Sequence, residues 1–299
     1  MKKTLIVILG PTAVGKTELS LRIAERFASP IVNADSRQIF RDIPVCTAAP
    51  TAEEQARVKH YFVGTRALDE YFSAAQYETE ALRVIEEEFR SRDVLVMSGG
   101  SMLYIDAVVK GIDDMPDVEP EIRASVRRQY EAEGLDSILA QLRLLDPVYY
   151  DRVDKRNTQR VIHGVEMCLS TGKPFSSFHT GVRKERPFRI LQIGLRRERP
   201  ELYARIDRRV RQMLENGLID EARRVFPLRH LNSLNTVGLK EMFLCFDGVY
   251  TLPQAEERIC HNTHIYSKKQ MTWFQRDDSI RWFHPDRMED VISFINSEV

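Results

Sequence analysis

Leu5-Ile6-Val7-Ile8-Leu9-Gly10-Pro11-Thr12-Ala13-Val14-Gly15-Lys16-Thr17 is the stretch on which the reading of this chain turns. Residues 5–9 are an unbroken β-favouring apolar run, as a strand buried on both faces of a parallel sheet requires. Gly10 to Thr17 match G-x-x-x-x-G-K-[ST], and residues 17–27 follow as a helix with Leu19, Ile23, Ala24 and Phe27 on one side. Glycines let backbone N–H groups turn inward around an anion, and the helix N-terminus adds its dipole. Lys16 supplies a point charge for phosphate, and the Thr17 hydroxyl is a natural Mg²⁺ ligand. The expectation is a loop that holds a diphosphate or a triphosphate.

Working outward, residues 30–34 read as a second strand, residues 74–90 as a helix with Tyr77, Ala81, Leu82, Ile85 and Phe89 inward, and residues 94–97 as a third strand. Strands alternating with helices predict an α/β fold, a P-loop NTPase-like parallel sheet flanked by helices. The texture changes near Gly111, where the acidic, Pro-bearing connection 113–120 begins. From Glu121 to about Phe178 the pattern is helical, and residues 188–195 restore an apolar strand. The expected organisation is a catalytic core of residues 1–112 and 188–299, interrupted by a helical insertion domain of residues 113–187.

The totals constrain less. The chain has 299 residues, 43% of them hydrophobic, enough to bury a core. Lys+Arg and Asp+Glu are both 44, so no global basic charge announces nucleic acid, although a local basic face suffices to engage phosphates. The four cysteines, Cys46, Cys168, Cys245 and Cys260, form no C-x-x-C pair, and the seven histidines show no metal spacing, so free thiols and no zinc are expected. The start Met1-Lys2-Lys3 imitates a signal peptide, but the apolar run ends after Leu9 in a glycine loop. That is too short for a secretory core or a membrane span, and the reading is a cytoplasmic protein without membrane contact, monomeric by default.

Two further features bear on chemistry. The strand 94–97 runs into Ser98-Gly99-Gly100-Ser101 without the acid that ATPases usually place there to hold their metal. Asp35-Ser36 follows the second strand, at the sheet end shared with the phosphate loop. An acid there can take a proton from a nucleophile, or it can simply stabilise a turn.

Asp35-Ser36-Arg37-Gln38-Ile39-Phe40, read with the phosphate loop, resembles the D-S-x-Q-[IV]-[YF] segment of the bacterial tRNA dimethylallyltransferases (tRNA isopentenyltransferases). Gly99-Gly100-Ser101-Met102-Leu103-Tyr104 is similar to that family's G-G-T-[GM]-L-Y turn, and Gln159-Arg160-Val161-Ile162 to its Q-R-[IL] stretch. Arg205 to Val210, Asn235 to Gly238 and Lys268-Lys269-Gln270-Met271-Thr272-Trp273-Phe274 resemble three more family segments, all in family order over about residues 5–275. The resemblance implies transfer of a dimethylallyl group from dimethylallyl diphosphate to N6 of the adenosine 3′-adjacent to the anticodon, in tRNAs reading codons that begin with U. It implies a diphosphate held by Gly10 to Thr17 with Mg²⁺ on Thr17, and Asp35 as general base. Lys16, Thr17, Ser101 and an arginine on the helix after the restored strand, Arg209 by preference over Arg205, complete the expected catalytic set. The anticodon stem-loop is expected to meet Asp35, Ser36, Arg37, Gln38, Ser101, Arg123, Gln159, Arg160, Val161, Ile162 and His163, with Gln159 wedging into the gap left by the flipped base. Trp273 and Phe274, beside Lys268, Lys269 and Arg276, read as core-packing aromatics ahead of a stacking patch.

The chain departs from the pattern in three places. Ser101 stands for Thr and keeps the hydroxyl. His163-Gly164-Val165-Glu166 replaces R-A-L-E and loses a permanent charge. Asn157-Thr158 lacks the usual Pro before Gln159. Two rivals remain: an ATP-dependent small-molecule kinase, and an RNA-binding protein that keeps a P-loop without catalysis.

Overall fold

A computed structural model describes residues 3–113 and 115–299. Met1 and Lys2 of the basic start and Asp114 of the acidic connection lie outside the described residues. The elements in chain order are β1 (Thr4–Leu9), α1 (Lys16–Arg26), β2 (Ile31–Ala34), α2 (Pro44–Thr47), α3 (Ala52–Arg57), β3 (His60–Tyr61), α4 (Ala74–Phe89), β4 (Val94–Gly99) and α5 (Met102–Val109). Then come α6 (Pro120–Leu145), α7 (Pro147–Arg152), α8 (Thr158–Thr171), β5 (Arg189–Leu195), α9 (Arg199–Glu215), α10 (Leu218–Val225), α11 (Leu239–Phe246), α12 (Leu252–Phe274), β6 (Arg281–Phe283) and α13 (Met288–Glu298). The chain divides into two compact units, one running to Lys110 and resuming at Glu185, the other Gly111–Lys184. Among the described residues, no helix is long and apolar enough to cross a membrane.

The first unit is built on a six-stranded sheet of order β3-β2-β4-β1-β5-β6, with each described neighbouring pair parallel. β1 is the central strand because every one of its residues is buried, on both faces. It pairs with β4 from Thr4↔Val94 to Leu9↔Gly99 and with β5 from Thr4↔Arg189 to Leu9↔Gly194. A buried Leu or Ile contributes roughly 1.5–3 kcal/mol, so this one strand anchors the core. Parallel pairing brings all the strand C-termini to one edge, which therefore collects the loops after β1, β2, β4 and β5.

Two contacts hold that edge tightly. A Cβ on Gly99 would lie 2.2 Å from the Ala34 carbonyl oxygen, so only glycine lets the ends of β2 and β4 approach this closely. Tyr77, fully buried on α4, donates its hydroxyl to the Asn33 carbonyl at 2.9 Å and stacks on Tyr104 of α5 at 4.1 Å. Farther away, Arg186 pairs with buried Glu78 at 2.7 Å and donates to the carbonyls of Ala107 and Val108, fixing the returning chain to the end of α5.

The second unit is helical. Its longest helix, α6, turns at Gly134 (φ 79°, ψ −176°), where two helical pieces meet. Val126, Ile138, Leu142, Val153, Val161, Ile162 and Val165 form its main core, and Val118, Met167, Cys168 and Phe175 a second cluster. α7 and α8 touch closely: a Cβ on Gly164 would meet the Tyr149 ring at 2.8 Å. The glycine that replaces the family's alanine therefore stands where a ring needs the space.

Candidate active site

The loop after β1 is shaped by positive φ angles at Gly10 (148°), Ala13 (61°) and Gly15 (113°). These rotate successive amides toward one side and make an anion-binding concavity. Gly15 caps α1 without a side-chain acceptor, so the first amides of that helix are left for a ligand. The outer carbonyls of the loop are clamped by arginines from later in the chain. Arg205 Nε donates to Ala13 O at 2.8 Å, and Arg197 Nε to Val14 O at 2.9 Å. Arg197 is in turn held by Glu201 and Asp286, and His284 lies beside both carboxylates.

Lys16 folds back onto the loop, donating to the carbonyls of Gly10 (2.9 Å) and Pro11 (2.8 Å). Burial, reinforced by the charge of Arg209 and opposed by Asp35, pulls its ammonium down to about 7. Arg209 lies one helical turn beyond Arg205 and lines the same cavity. Its guanidinium has no hydrogen-bond or ion-pair partner among the described residues, and burial lowers its pKa, with Arg205 adding to the shift and Asp35 opposing it. Arg209 is half-buried, and a partly desolvated cation without a partner favours the arrival of an anion. Of the two candidate arginines, Arg205 is thus bound to the loop and Arg209 is left for a ligand.

Asp35 stands across the cavity, at the end of β2. Its Oδ1 accepts from the amides of Arg37 (2.9 Å) and Gln38 (3.3 Å), closing a turn, while Oδ2 has no partner among the described residues. The two readings of this aspartate are therefore compatible: one oxygen holds the turn and the other is available. Ser101, 7% exposed, accepts the Ser36 amide at 2.8 Å and donates to the Ser36 hydroxyl, so it fastens the Asp35 turn to the end of β4. Arg37 donates to the carbonyls of Asn232, Ser233 and Asn235, and Gln38 to those of Thr47 and Ala48. Both side chains hold neighbouring backbone.

The cavity these groups share measures about 1240 Å³ and is lined by the phosphate loop, Asp35 to Gln38, residues 44–52, Gly99 to Ser101, α9 and one stripe of α12. That stripe is Ile259, Thr263, Tyr266 and Gln270, at helical spacing. Tyr266 has its phenol pushed up to about 12 by burial and by the Asp35 charge. Arg197 and Tyr266 carry no motif of their own in the sequence, and Gln270 is marked there only as a member of the segment 268–274. Phe274 is buried, and Trp273 donates its indole N–H to Asp106 at 2.8 Å, so both aromatics serve packing.

The remaining predicted residues belong to the helical unit. Gln159, Arg160 and His163 are exposed on α8, and Arg123 is exposed on α6. Val161 and Ile162 are instead core residues, 0% and 8% exposed, and their side chains are enclosed. Asn157 Oδ1 accepts the Arg160 amide at 3.2 Å, so an asparagine N-cap starts α8 where the family uses proline. His163 pairs with buried Glu166 at 3.5 Å and sets its ring edge-on to Phe175.

For a divalent cation, the cavity lining offers Thr17, an exposed residue at the end of the loop, and the Asp35 carboxylate, while the end of β4 supplies only serines and glycines. A sparse oxygen set of this kind suits Mg²⁺, which keeps waters and takes substrate phosphate oxygens.

A parallel sheet with an anion loop after its central strand, and Lys16, Arg209 and Asp35 lining one cavity beside it, defines a P-loop enzyme that handles a phosphorylated substrate. The chain belongs to the IPP transferase family, whose profile matches residues 38–277. It is 62% identical over 283 residues to tRNA dimethylallyltransferase 2 of Porphyromonas gingivalis, covering 95% of this chain and 94% of that protein. It is 55% identical over 296 residues to tRNA dimethylallyltransferase 2 of Parabacteroides distasonis, covering 99% of each. Among solved structures, it resembles the full-length tRNA isopentenylpyrophosphate transferase of Bacillus halodurans, with a TM-score of 0.72, 32% identity and coverage of 99% and 96%. A eukaryotic dimethylallyltransferase acting on tRNA gives a TM-score of 0.76 at 26% identity, covering 91% of this chain and 69% of that one.

Proposed function

We propose that this enzyme transfers the dimethylallyl group of dimethylallyl diphosphate to N6 of the adenosine 3′-adjacent to the anticodon, in tRNAs reading codons that begin with U. The observation that carries the reading is the pairing, in one cavity, of an anion cradle with a partnerless Arg209 and an Asp35 that keeps one oxygen free. It is supported by the relatives, whose names specify tRNA and a dimethylallyl group.

In this reading the amides after Gly10, with Lys16 and Arg209, receive the diphosphate. They stabilise the negative charge that grows as the bond from prenyl carbon to diphosphate oxygen breaks. Lys16 moves from the loop carbonyls to the phosphate and is fully protonated there. The adenine amine forms the new bond to that carbon and loses a proton to Oδ2 of Asp35, while Oδ1 keeps the turn in place. Thr17 would hold Mg²⁺, which neutralises diphosphate charge when bound. Ser101 fixes the turn that carries Asp35, Gln38 fixes Thr47 and Ala48, and Arg37 fixes residues 232–235, so the three shape the entry. Arg123, Gln159, Arg160 and His163 form the exposed polar set through which the helical unit meets the anticodon stem-loop, with Gln159 as the wedge beside the flipped base. In this reading the enzyme works in the cytoplasm and acts as a monomer.

The test mixes the protein with Mg²⁺, radiolabelled dimethylallyl diphosphate and an unmodified anticodon stem-loop. Label should enter the RNA, and should be lost both with Asp35→Asn and when the target adenosine is replaced. ATP turnover without RNA labelling would instead indicate a kinase.

A further inference from the structure

β1 and β4 run side by side up to the pair Leu9↔Gly99 and then diverge, one into the phosphate loop and the other into the turn that carries Ser101. The side chain of Gln270, from α12, enters this gap and is only 2% exposed. Its Oε1 accepts the Thr12 amide at 3.0 Å, and its Nε2 donates to the Gly100 carbonyl at 2.8 Å. A primary amide offers one acceptor and one donor group in the arrangement of a peptide unit. Gln270 therefore continues the ladder between the two strands by one rung made of a side chain. The fit leaves no room on the β4 side: a Cβ on Gly100 would lie 2.6 Å from Nε2 and 3.6 Å from Lys16 Nζ.

The rung lies on a path between the two halves of the site. Thr12 belongs to the anion cradle. Gly100 precedes Ser101, whose hydroxyl holds Ser36, and Ser36 follows Asp35. We propose that Gln270 is a positioning residue for the transfer reaction, setting the separation between the diphosphate cradle and the Asp35 carboxylate. This rests on the functional reading above. Without the rung the loop and the turn keep their own internal bonds but lose their mutual register, and a displacement of about 1 Å between reacting groups can cost on the order of 100-fold in rate. tRNA binding through exposed residues elsewhere is untouched.

Gln270→Met removes both hydrogen bonds at similar volume. Gln270→Glu keeps the acceptor for Thr12 and restores the donor to Gly100 only when protonated. Gln270→Met should lower kcat by about 10–100-fold, with the Kd for the stem-loop unchanged within about twofold. Gln270→Glu should be equally impaired at pH 8, and its activity relative to wild type should rise as pH is lowered toward 6. Burial favours the neutral carboxyl, which restores the rung. A kcat for Gln270→Met within twofold of wild type overturns the inference. So does a loss of turnover matched by an equal loss of stem-loop affinity, or a Gln270→Glu ratio that is flat with pH. Wild type in the same assay tests the underlying reading separately. If it transfers no prenyl group, amide exchange over residues 10–15 still decides the inference: faster exchange in Gln270→Met supports the rung, and unchanged exchange overturns it.

Discussion

The two compact units use their motif residues differently. Around the sheet edge, polar side chains that look like ligand contacts are turned inward onto backbone. Arg37 binds three carbonyls of residues 232–235, Gln38 two of α2 and its cap, Arg205 one of the phosphate loop. In the helical unit, Gln159, Arg160 and His163 are exposed on a helix whose enclosed side is Val161, Ile162 and Val165. The difference teaches that a motif in a sheet-edge site records the scaffold of the chemistry as much as the chemistry, whereas a motif on a surface helix separates the two by periodicity alone.

Substitutions can sharpen this contrast. The largest expected effect is on Asp35: Asp35→Asn keeps an oxygen for the Arg37 and Gln38 amides, so the melting temperature should hold while kcat falls by roughly 10²–10⁴-fold. A parallel fall in both would reduce Asp35 to a turn residue. Next, Arg186→Met breaks the buried pair with Glu78 and removes two carbonyl contacts, and should cost about 3–5 kcal/mol in denaturant unfolding, with no selective effect on tRNA affinity. Within α8, Val161→Ala should cost about 1–2 kcal/mol of stability, whereas Gln159→Ala should change stability by less than about 0.5 kcal/mol and appear only in stem-loop turnover and affinity. If the two behaved alike, the division of that helix into enclosed and exposed faces would be wrong.

A further effect concerns Lys16. Its pKa near 7 in the free protein means that it is largely neutral at pH 8, and a bound diphosphate restores the charge. Binding should therefore take up close to one proton at pH 8 and little at pH 6, read by calorimetry in two buffers of different ionisation enthalpy. This contribution weakens affinity by up to about tenfold per pH unit above 7.

The core of this architecture was legible because β1 is long, apolar and joined to the phosphate loop, and α1, α4, β4 and β5 carry equally clear patterns. β3 and β6 were not, because His60–Tyr61 and Arg281–Phe283 are short, only partly buried strands at the two edges of the sheet, without an apolar run. In the site, Asp35, Lys16, Thr17 and Arg209 line a common cavity, as their positions after β1, β2 and on α9 allow. What could not be read was the holding work of Arg37, Ser101, Arg205 and Gln270. Each acts on backbone far away in sequence, and neither spacing nor residue type announces such a partner. Val161 and Ile162 show the converse: grouped by motif with exposed neighbours, they are enclosed because a helix returns to the same side every three to four residues.

The arginine clamp on the phosphate loop has a consequence for how the chain can be divided. Gly10 to Thr17 look self-sufficient, and residues up to Lys110 contain four of the six strands. Yet Ala13 and Val14, at the outside of the loop, are gripped by Arg205 and Arg197, and Thr12 by Gln270. A fragment ending at Lys110 would carry the whole signature and none of the three grips that shape it. The motif is the inner surface of a mould whose outer half is synthesised much later, so the anion site is complete only after α12 has been made.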